Sequence, residues 1–245
     1  MKRPKIIITD WDETVTKEDT IKYVSEVPYI NNPQLTPPFS HFVDAYFANY
    51  SHYKKSFGDR NSIDDEVLFQ QGTLAIESES IRNIEDSKIF KDLTESHFRN
   101  QASKIEIRPG FVEFVKECKT KEIPVVILSA NWTSIVINQV LLNHGISVDE
   151  VITNELIFED GVSTGDWHKG RRIRVTQDKL EVVKQYNGED VMYVGDSGTD
   201  FLPLLHAGIP CAIENTKIVD IFNNLGLQEK LHVGGWHNFI DFIKE

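Results

Sequence analysis

Asp10 and Asp12 stand one residue apart at the end of the short apolar run Ile6-Ile7-Ile8-Thr9, with Thr14 two residues further on. Two carboxylates this close repel unless a cation or a proton joins them. The pair therefore asks for a metal, a proton, or both. Comparable chemistry recurs down the chain. Ser129-Ala130-Asn131 follows an apolar run at 124–128, and Asp196 and Asp200 frame Ser197-Gly198-Thr199 after another at 191–195. Lys179 falls near the start of the helical stretch before that last run. Hard oxygens from Asp10, Asp12 and Asp196 suit Mg²⁺, with waters or a phosphate completing the set. The Ser129 hydroxyl, the backbone N–H after it and the Lys179 charge suit the oxygens of a phosphoryl group in a transition state. Singly, each residue has a plainer reading as a helix cap, a turn former or a solvated lysine. Their shared placement at strand and helix junctions is what makes them a set.

Such a set needs strands that end on one side. Apolar, β-branched runs at 5–10, 124–128, 151–153, 191–195 and 210–213 predict five strands. Helical spacing intervenes at about 111–122, 132–143 and 178–186, in a short piece ending at His206, and in a closing amphipathic helix at 236–244. This alternation predicts an α/β fold with a parallel sheet and helices on both faces, its ligand site at the carboxyl edge. Residues 155–163 read as a hairpin with Asp160-Gly161 at the turn. Residues 17–104 carry no strand signal. Helices are expected from Ser40 to Phe57, and from Ser62 or Asp64 to about Asn83. The block is too long for a crossover and reads as a helical cap domain, inserted into a core made of 1–16 and 105–245. The aromatic density of 38–57 is read as the insert's own core rather than a ligand cage.

The 245-residue chain has a formal net charge of −12. That balance argues against non-specific nucleic-acid binding, which needs a basic footprint. It also repels anionic substrates at long range, so a phosphate site must carry its own positive charge. One acid-free stretch stands out, His168-Lys169-Gly170-Arg171-Arg172-Ile173-Arg174. It is read as a solvated basic face, against the sharper idea that an arginine there grips a second anionic group of a substrate. Cys118 and Cys211 lack metal-ligand spacing and read as reduced core thiols. No run approaches the roughly 20 apolar residues of a membrane span, and the basic start lacks a signal-peptide core, so a cytoplasmic protein is expected.

Asp10-Trp11-Asp12-Glu13-Thr14, Ser129 after its strand, Lys179, and Gly195-Asp196-Ser197-Gly198-Thr199-Asp200 together resemble the four signatures of the haloacid dehalogenase superfamily. The long insert after the first signature is similar to the helical C1-type cap of its phosphoserine-phosphatase-like branch. Lys184 competes with Lys179 for the third signature. The resemblance implies a doubly wound, mostly parallel Rossmann-like sheet and a phosphomonoesterase that passes through an aspartyl-phosphate. Asp10 would be the nucleophile and Asp12 the acid/base. Mg²⁺ would be held by Asp10, the Asp12 carbonyl and Asp196. Thr14 would steady the loop, Ser129, Ala130, Asn131 and Lys179 would bind phosphate, and Asp200 would orient Lys179 or the metal ligands. The substrate implied is a small phosphorylated metabolite. Asp19 stands where phosphoserine phosphatases carry a glutamate that reads the amino-acid portion, which points to another phosphomonoester. The acid at position 12 separates the chain from the dehalogenating branch, and the Asp-Lys-Thr-Gly-Thr run of ion-pumping ATPases is absent. A phosphotransferase of the same fold and a non-catalytic Mg²⁺- or phosphate-binding regulatory module are the alternatives. Oligomeric state is left open.

Overall fold

The computed structural model describes residues 3–170 and 172–244. The first half of the chain supplies β1 (Ile6–Thr9), α1 (Ile21–Asn31), α2 (Phe39–Phe57), α3 (Ile63–Ser87), α4 (Glu95–Arg99), α5 (Phe111–Thr120), β2 (Val125–Leu128) and α6 (Ser134–Asn143). Then come β3 (Glu150–Ile152), β4 (Leu156–Glu159), β5 (Val162–Trp167), α7 (Thr176–Val183), β6 (Val191–Gly195), α8 (Phe201–His206) and β7 (Ile209–Ile213). The chain closes with α9 (Lys217–Asn224), β8 (His232–Gly234), α10 (Trp236–Phe239) and α11 (Asp241–Lys244).

Six strands form one parallel sheet in the order β3-β2-β1-β6-β7-β8. The chain steps outward from β1 to β3, then returns to the other side of β1 and steps outward again. The order therefore reverses between β1 and β6, the switch point at which open α/β sheets leave a crevice beyond the strand ends. Asp10 follows β1 and Asp196 follows β6, so this crevice receives both acids.

Side-chain alternation along β1 divides the interior in two. Ile7 packs with Val125, Ile127, Met192 and Val194 on one face. Ile6 and Ile8 pack with Val126, Leu128, Val191 and Tyr193 on the other. Both faces are dry because helices cover both: Phe114, Val136 and Trp236 lie in the first cluster, Val182, Leu204 and Ile218 in the second. That double cover explains why the strands read as continuous apolar runs rather than alternating ones.

The expected hairpin is present, and Asp160 and Gly161 both take positive φ at its turn, 50° and 83°. Ser62 rather than Asp64 caps α3, accepting from the Asp65 N–H at 3.1 Å, and the helix runs four residues beyond Asn83. Ser40 does not cap α2, which begins at Phe39 after Pro38. The edge strand β8 lacks a sequence signal because it is three residues long and carries an exposed Val233. The closing helix breaks at Ile240, where the Ile243 N–H bonds back three residues instead of four.

Two chain crossings join the insert to the sheet, and they lie side by side. The Lys17 N–H bonds the Glu106 carbonyl, the Arg108 N–H bonds the Val15 carbonyl, and Thr16 bridges Ile107. Within the insert, Tyr53 and Phe57 pack on Phe69 of α3 with ring centroids 5.2 and 5.3 Å away, a small core of its own. The other end of α2 differs. Phe39 packs on Trp132 of the sheet portion at 5.9 Å, and Phe39, Phe42, Tyr46 and Phe47 line a cavity instead. The aromatic run is thus half core and half cavity wall.

Candidate active site

Each acid of the site is placed by the end of a buried strand. Beyond β1, Asp10 sits almost fully enclosed, and Lys179 from α7 reaches it with Nζ 2.9 Å from Oδ1. The same Nζ lies 2.7 Å from Asp200 Oδ1. Burial alone would lower the Lys179 ammonium, but Asp10 and Asp200 hold it above its ordinary value. Lys179 can be this deep because α7 starts at Thr176, which puts residue 179 on the inner face of the first turn. The Asp178 carboxylate fixes that start by accepting the N–H groups of Arg174 and Val175 at 2.9 and 3.3 Å.

Asp200 is saturated. Its Oδ1 also accepts the Tyr193 hydroxyl at 2.7 Å, and its Oδ2 accepts the Asp196 and Ser197 N–H groups at 3.0 and 3.1 Å. Gly195 makes room for this loop, since a Cβ there would stand 2.4 Å from Asp200 Cγ. Asp196 takes the Thr14 hydroxyl on Oδ1 at 3.0 Å. Thr14 is held in turn through its carbonyl, which accepts the Trp236 indole N–H at 3.0 Å from the far end of the chain.

Asp12 faces a different set of donors. Its Oδ1 accepts the Thr20 N–H at 2.7 Å and the Thr20 hydroxyl, and the Asn131 amide reaches Oδ2 at 3.1 Å. Withdrawal from water and the nearby Asp19 charge still push Asp12 up to about 6, against those hydrogen bonds. Desolvation, with repulsion from Asp200 and Asp12, outweighs Lys179 and carries Asp10 to about 7. Desolvation and the charges of Asp10 and Asp200 carry Asp196 to about 9.

The sequence profile of the haloacid dehalogenase-like hydrolases matches residues 7–206. The chain belongs to that family. This HAD-like hydrolase is 26% identical to Cold tolerance protein 1 of Saccharomyces cerevisiae, across 82% of this chain and 75% of that one. It is 27% identical to a CTO1 family protein of Schizosaccharomyces pombe, across 89% and 85%. A substrate-bound phosphoserine phosphatase complex shares the fold, with a TM-score of 0.60 over 99% of this chain and 100% of that one at 21% identity. The helical insertion after β1 and the parallel sheet are those expected from the sequence, which signalled five of the six strands and not β8.

In this HAD-like hydrolase the carboxylates of Asp10, Asp196 and Asp200 offer oxygens within 4.8 Å of one another. Three acids face one ammonium, Lys179, which leaves the cluster negative and raises two of its acids. A divalent cation fits that deficit and the hard oxygen donors. Asp200 spends both oxygens on Lys179, Tyr193 and backbone N–H groups, so Asp10 and Asp196 are the members free to turn to a metal. The Asp12 side chain is outside the cluster.

Ser129 lies buried beyond β2, its Oγ accepting the Asn131 N–H at 3.0 Å. The Ala130 carbonyl takes the Asn154 amide at 3.1 Å. Asn131 turns its carboxamide toward Asp12. Its Nδ2 is committed to Asp12 and Thr20, and its Oδ1 accepts the Trp132 N–H at 2.7 Å. Lys184 is exposed and pairs with Glu181 at 3.0 Å, so Lys179 is the lysine at the site. In the basic stretch, Arg171 lies outside the described residues. Arg172 is 3.1 Å from Glu85, and Arg174 is 3.2 Å from Asp178 while lining the cavity. Thr20, Tyr193 and Trp236 carried no functional signal in the sequence, because each sits in a stretch that reads as helix start or core.

Proposed function

We propose that this HAD-like hydrolase is a Mg²⁺-dependent phosphomonoesterase that works through an aspartyl-phosphate on Asp10 and acts on a small phosphorylated metabolite. The observation that carries the reading is the buried Asp10–Lys179 pair at the switch point, with Asp12 aimed by its own donors two residues away. In the first step an Asp10 carboxylate oxygen forms a bond to phosphorus as the bond to the leaving alcohol breaks. Asp12 gives its proton to the departing oxygen. Asp12, now a carboxylate, takes a proton from water, whose oxygen attacks phosphorus and frees Asp10. A group raised to about 6 suits both directions of that proton transfer.

Lys179, the Ser129 hydroxyl and the Ala130 N–H are assigned to the phosphoryl oxygens. Asn131 and Thr20 are assigned to holding Asp12, and Asp200 to holding Lys179. Asp10, Asp196 and the Asp12 carbonyl would hold Mg²⁺, which when bound offsets the charge of the phosphoryl oxygens. We take 17–104 as the cap and the rest as the core. The paired crossings at 16–17 and 106–108 support that division. Among the described residues no helix is long and apolar enough to cross a membrane, and both cysteines are buried free thiols, in keeping with a cytoplasmic setting.

The protein should release phosphate from p-nitrophenyl phosphate with Mg²⁺, stop when EDTA is added, and be inactive as Asp10→Asn. Turnover by that variant would refute the covalent route.

A further inference from the structure

A cavity of about 260 Å³ opens between α2, α3 and the loops after β2 and β3. On the side toward the catalytic acids it reaches Ala130 and Asp19. Its walls are mostly apolar: Phe39, Phe42 and Phe47 from α2, Ile81 and Ile84 from α3, and Trp132 from the sheet portion. An apolar cavity of about 150 Å³ accepts a benzene ring, so this one has room for a ring and a substituent.

Two acids line it, Asp19 at the end toward the catalytic acids and Glu77 in the wall beyond. Glu77 projects from α3, and its Oε1 accepts the Tyr46 hydroxyl at 2.7 Å. Among the described residues no cation pairs with Glu77. Arg174 also lines the cavity, but its guanidinium is held by Asp178 at 3.2 Å and by Ser78 Oγ at 3.3 Å. Its charge is therefore matched, while that of Glu77 is not. Desolvation accordingly raises the Glu77 carboxyl, against the phenol hydrogen bond. A carboxylate among aromatic rings, with only a neutral phenol as partner, is stabilised by a cation brought in from outside. The faces of the surrounding rings favour the same charge.

We propose that the cavity receives the leaving-alcohol portion of the substrate and that Glu77 selects a protonated amine on it. The substrate class is a phosphomonoester whose ammonium group is set back from the ester by a ring-sized apolar spacer. Asp10, Lys179 and Asp12 act on the phosphate at one end. The ammonium sits on Glu77 at the other, and Tyr46 fixes the Glu77 rotamer. The inference rests on the phosphomonoesterase reading for the identity of the phosphate end.

The test uses two esters of one shape, 4-(aminomethyl)benzyl phosphate and uncharged 4-ethylbenzyl phosphate. Binding of both to the Asp10→Asn protein is measured by calorimetry, and phosphate release from both by the native enzyme with Mg²⁺. One charge-assisted contact predicts a preference for the amine of about tenfold or more in Kd and in kcat/KM. Glu77→Gln, isosteric and uncharged, should bring the ratio to about one. Tyr46→Phe, which leaves the Glu77 charge in place, should keep the amine ahead. Equal binding of the two esters to the Asp10→Asn protein overturns the inference, as does a preference that survives Glu77→Gln. Amine-selective binding without phosphate release from either ester would instead overturn the phosphatase reading and leave the amine site standing. Release from both at equal rates would do the reverse.

Discussion

The residues to which we assign the chemistry are held by residues to which we assign none, and the two groups differ in how visible they are in the sequence. Asp10, Asp12, Ser129, Lys179 and Asp196 stood out because each is a polar side chain where a buried strand or a helix begins or ends. Tyr193 did not, since a tyrosine inside a buried strand reads as core until Asp200 is seen folding back onto its hydroxyl. Thr20 was hidden in the same way, as an ordinary residue before a helix. The resemblance implies a phosphate role for Asn131, and no sequence pattern shows that its carboxamide also reaches Asp12 and the Trp132 N–H. Thr20 gives the sharpest residue-scale prediction. Thr20→Val removes the hydroxyl donor to Asp12, and with it the acceptor of the Trp11 and Asn131 side-chain N–H groups, while sparing the backbone N–H. Losing one hydrogen bond to a charged group, about 1.5–3 kcal/mol, should lower kcat roughly 10- to 100-fold if the acid must stay aimed. KM should change little. A steady-state comparison decides it: loss confined to KM would show that Thr20 serves binding instead.

At the scale of elements, periodicity located most strands and helices because the sheet is covered on both faces and its strands are apolar throughout. It failed where an element is short or its setting is not local, as at β8 and the break at Ile240. Gly72 shows the limit of reading residue by residue. In sequence it punctuates a helix, and glycine in a helix interior costs about 1 kcal/mol relative to alanine. In the structure it lies within α3, and the Tyr53 hydroxyl occupies the place of its missing side chain, 1.9 Å from where a Cβ would stand. That hydroxyl donates to the Phe69 carbonyl at 3.0 Å. Gly72→Ala should therefore destabilise the protein, since displacing Tyr53 costs roughly 1–3 kcal/mol and exceeds the propensity gained. A raised Tm in a thermal melt would show that Tyr53 moves aside at no cost.

For the whole molecule, the sheet order is not readable from the chain, but a parallel sheet with its site at the carboxyl edge is, because strands alternating with helices imply it. The charge of that crevice sets a global property. Asp10 and Asp196 are raised by burial and by neighbouring carboxylates, so a cation bound between them would stabilise the folded state by mass action. Saturating Mg²⁺ at about 100 times its Kd should add roughly 2.7 kcal/mol and raise Tm measurably, and Asp196→Asn should abolish most of that shift. An unchanged Tm in native protein would show that it binds no Mg²⁺, and a shift that survives Asp196→Asn would place the metal elsewhere. The bond from Thr20 to Asp12 has a further consequence for how such a chain is divided. With the division and roles proposed above, Thr20 opens the insert while Asp12 belongs to the core, so the assigned proton donor is held from both sides of the seam. A core grafted to a foreign insert would keep Asp10, Lys179 and the Asn131 amide on Asp12, yet lose both Thr20 donors to Asp12. On that reading the transplantable unit is the insert together with the few residues that lead into it, and substrate choice and proton delivery would be inherited as one piece.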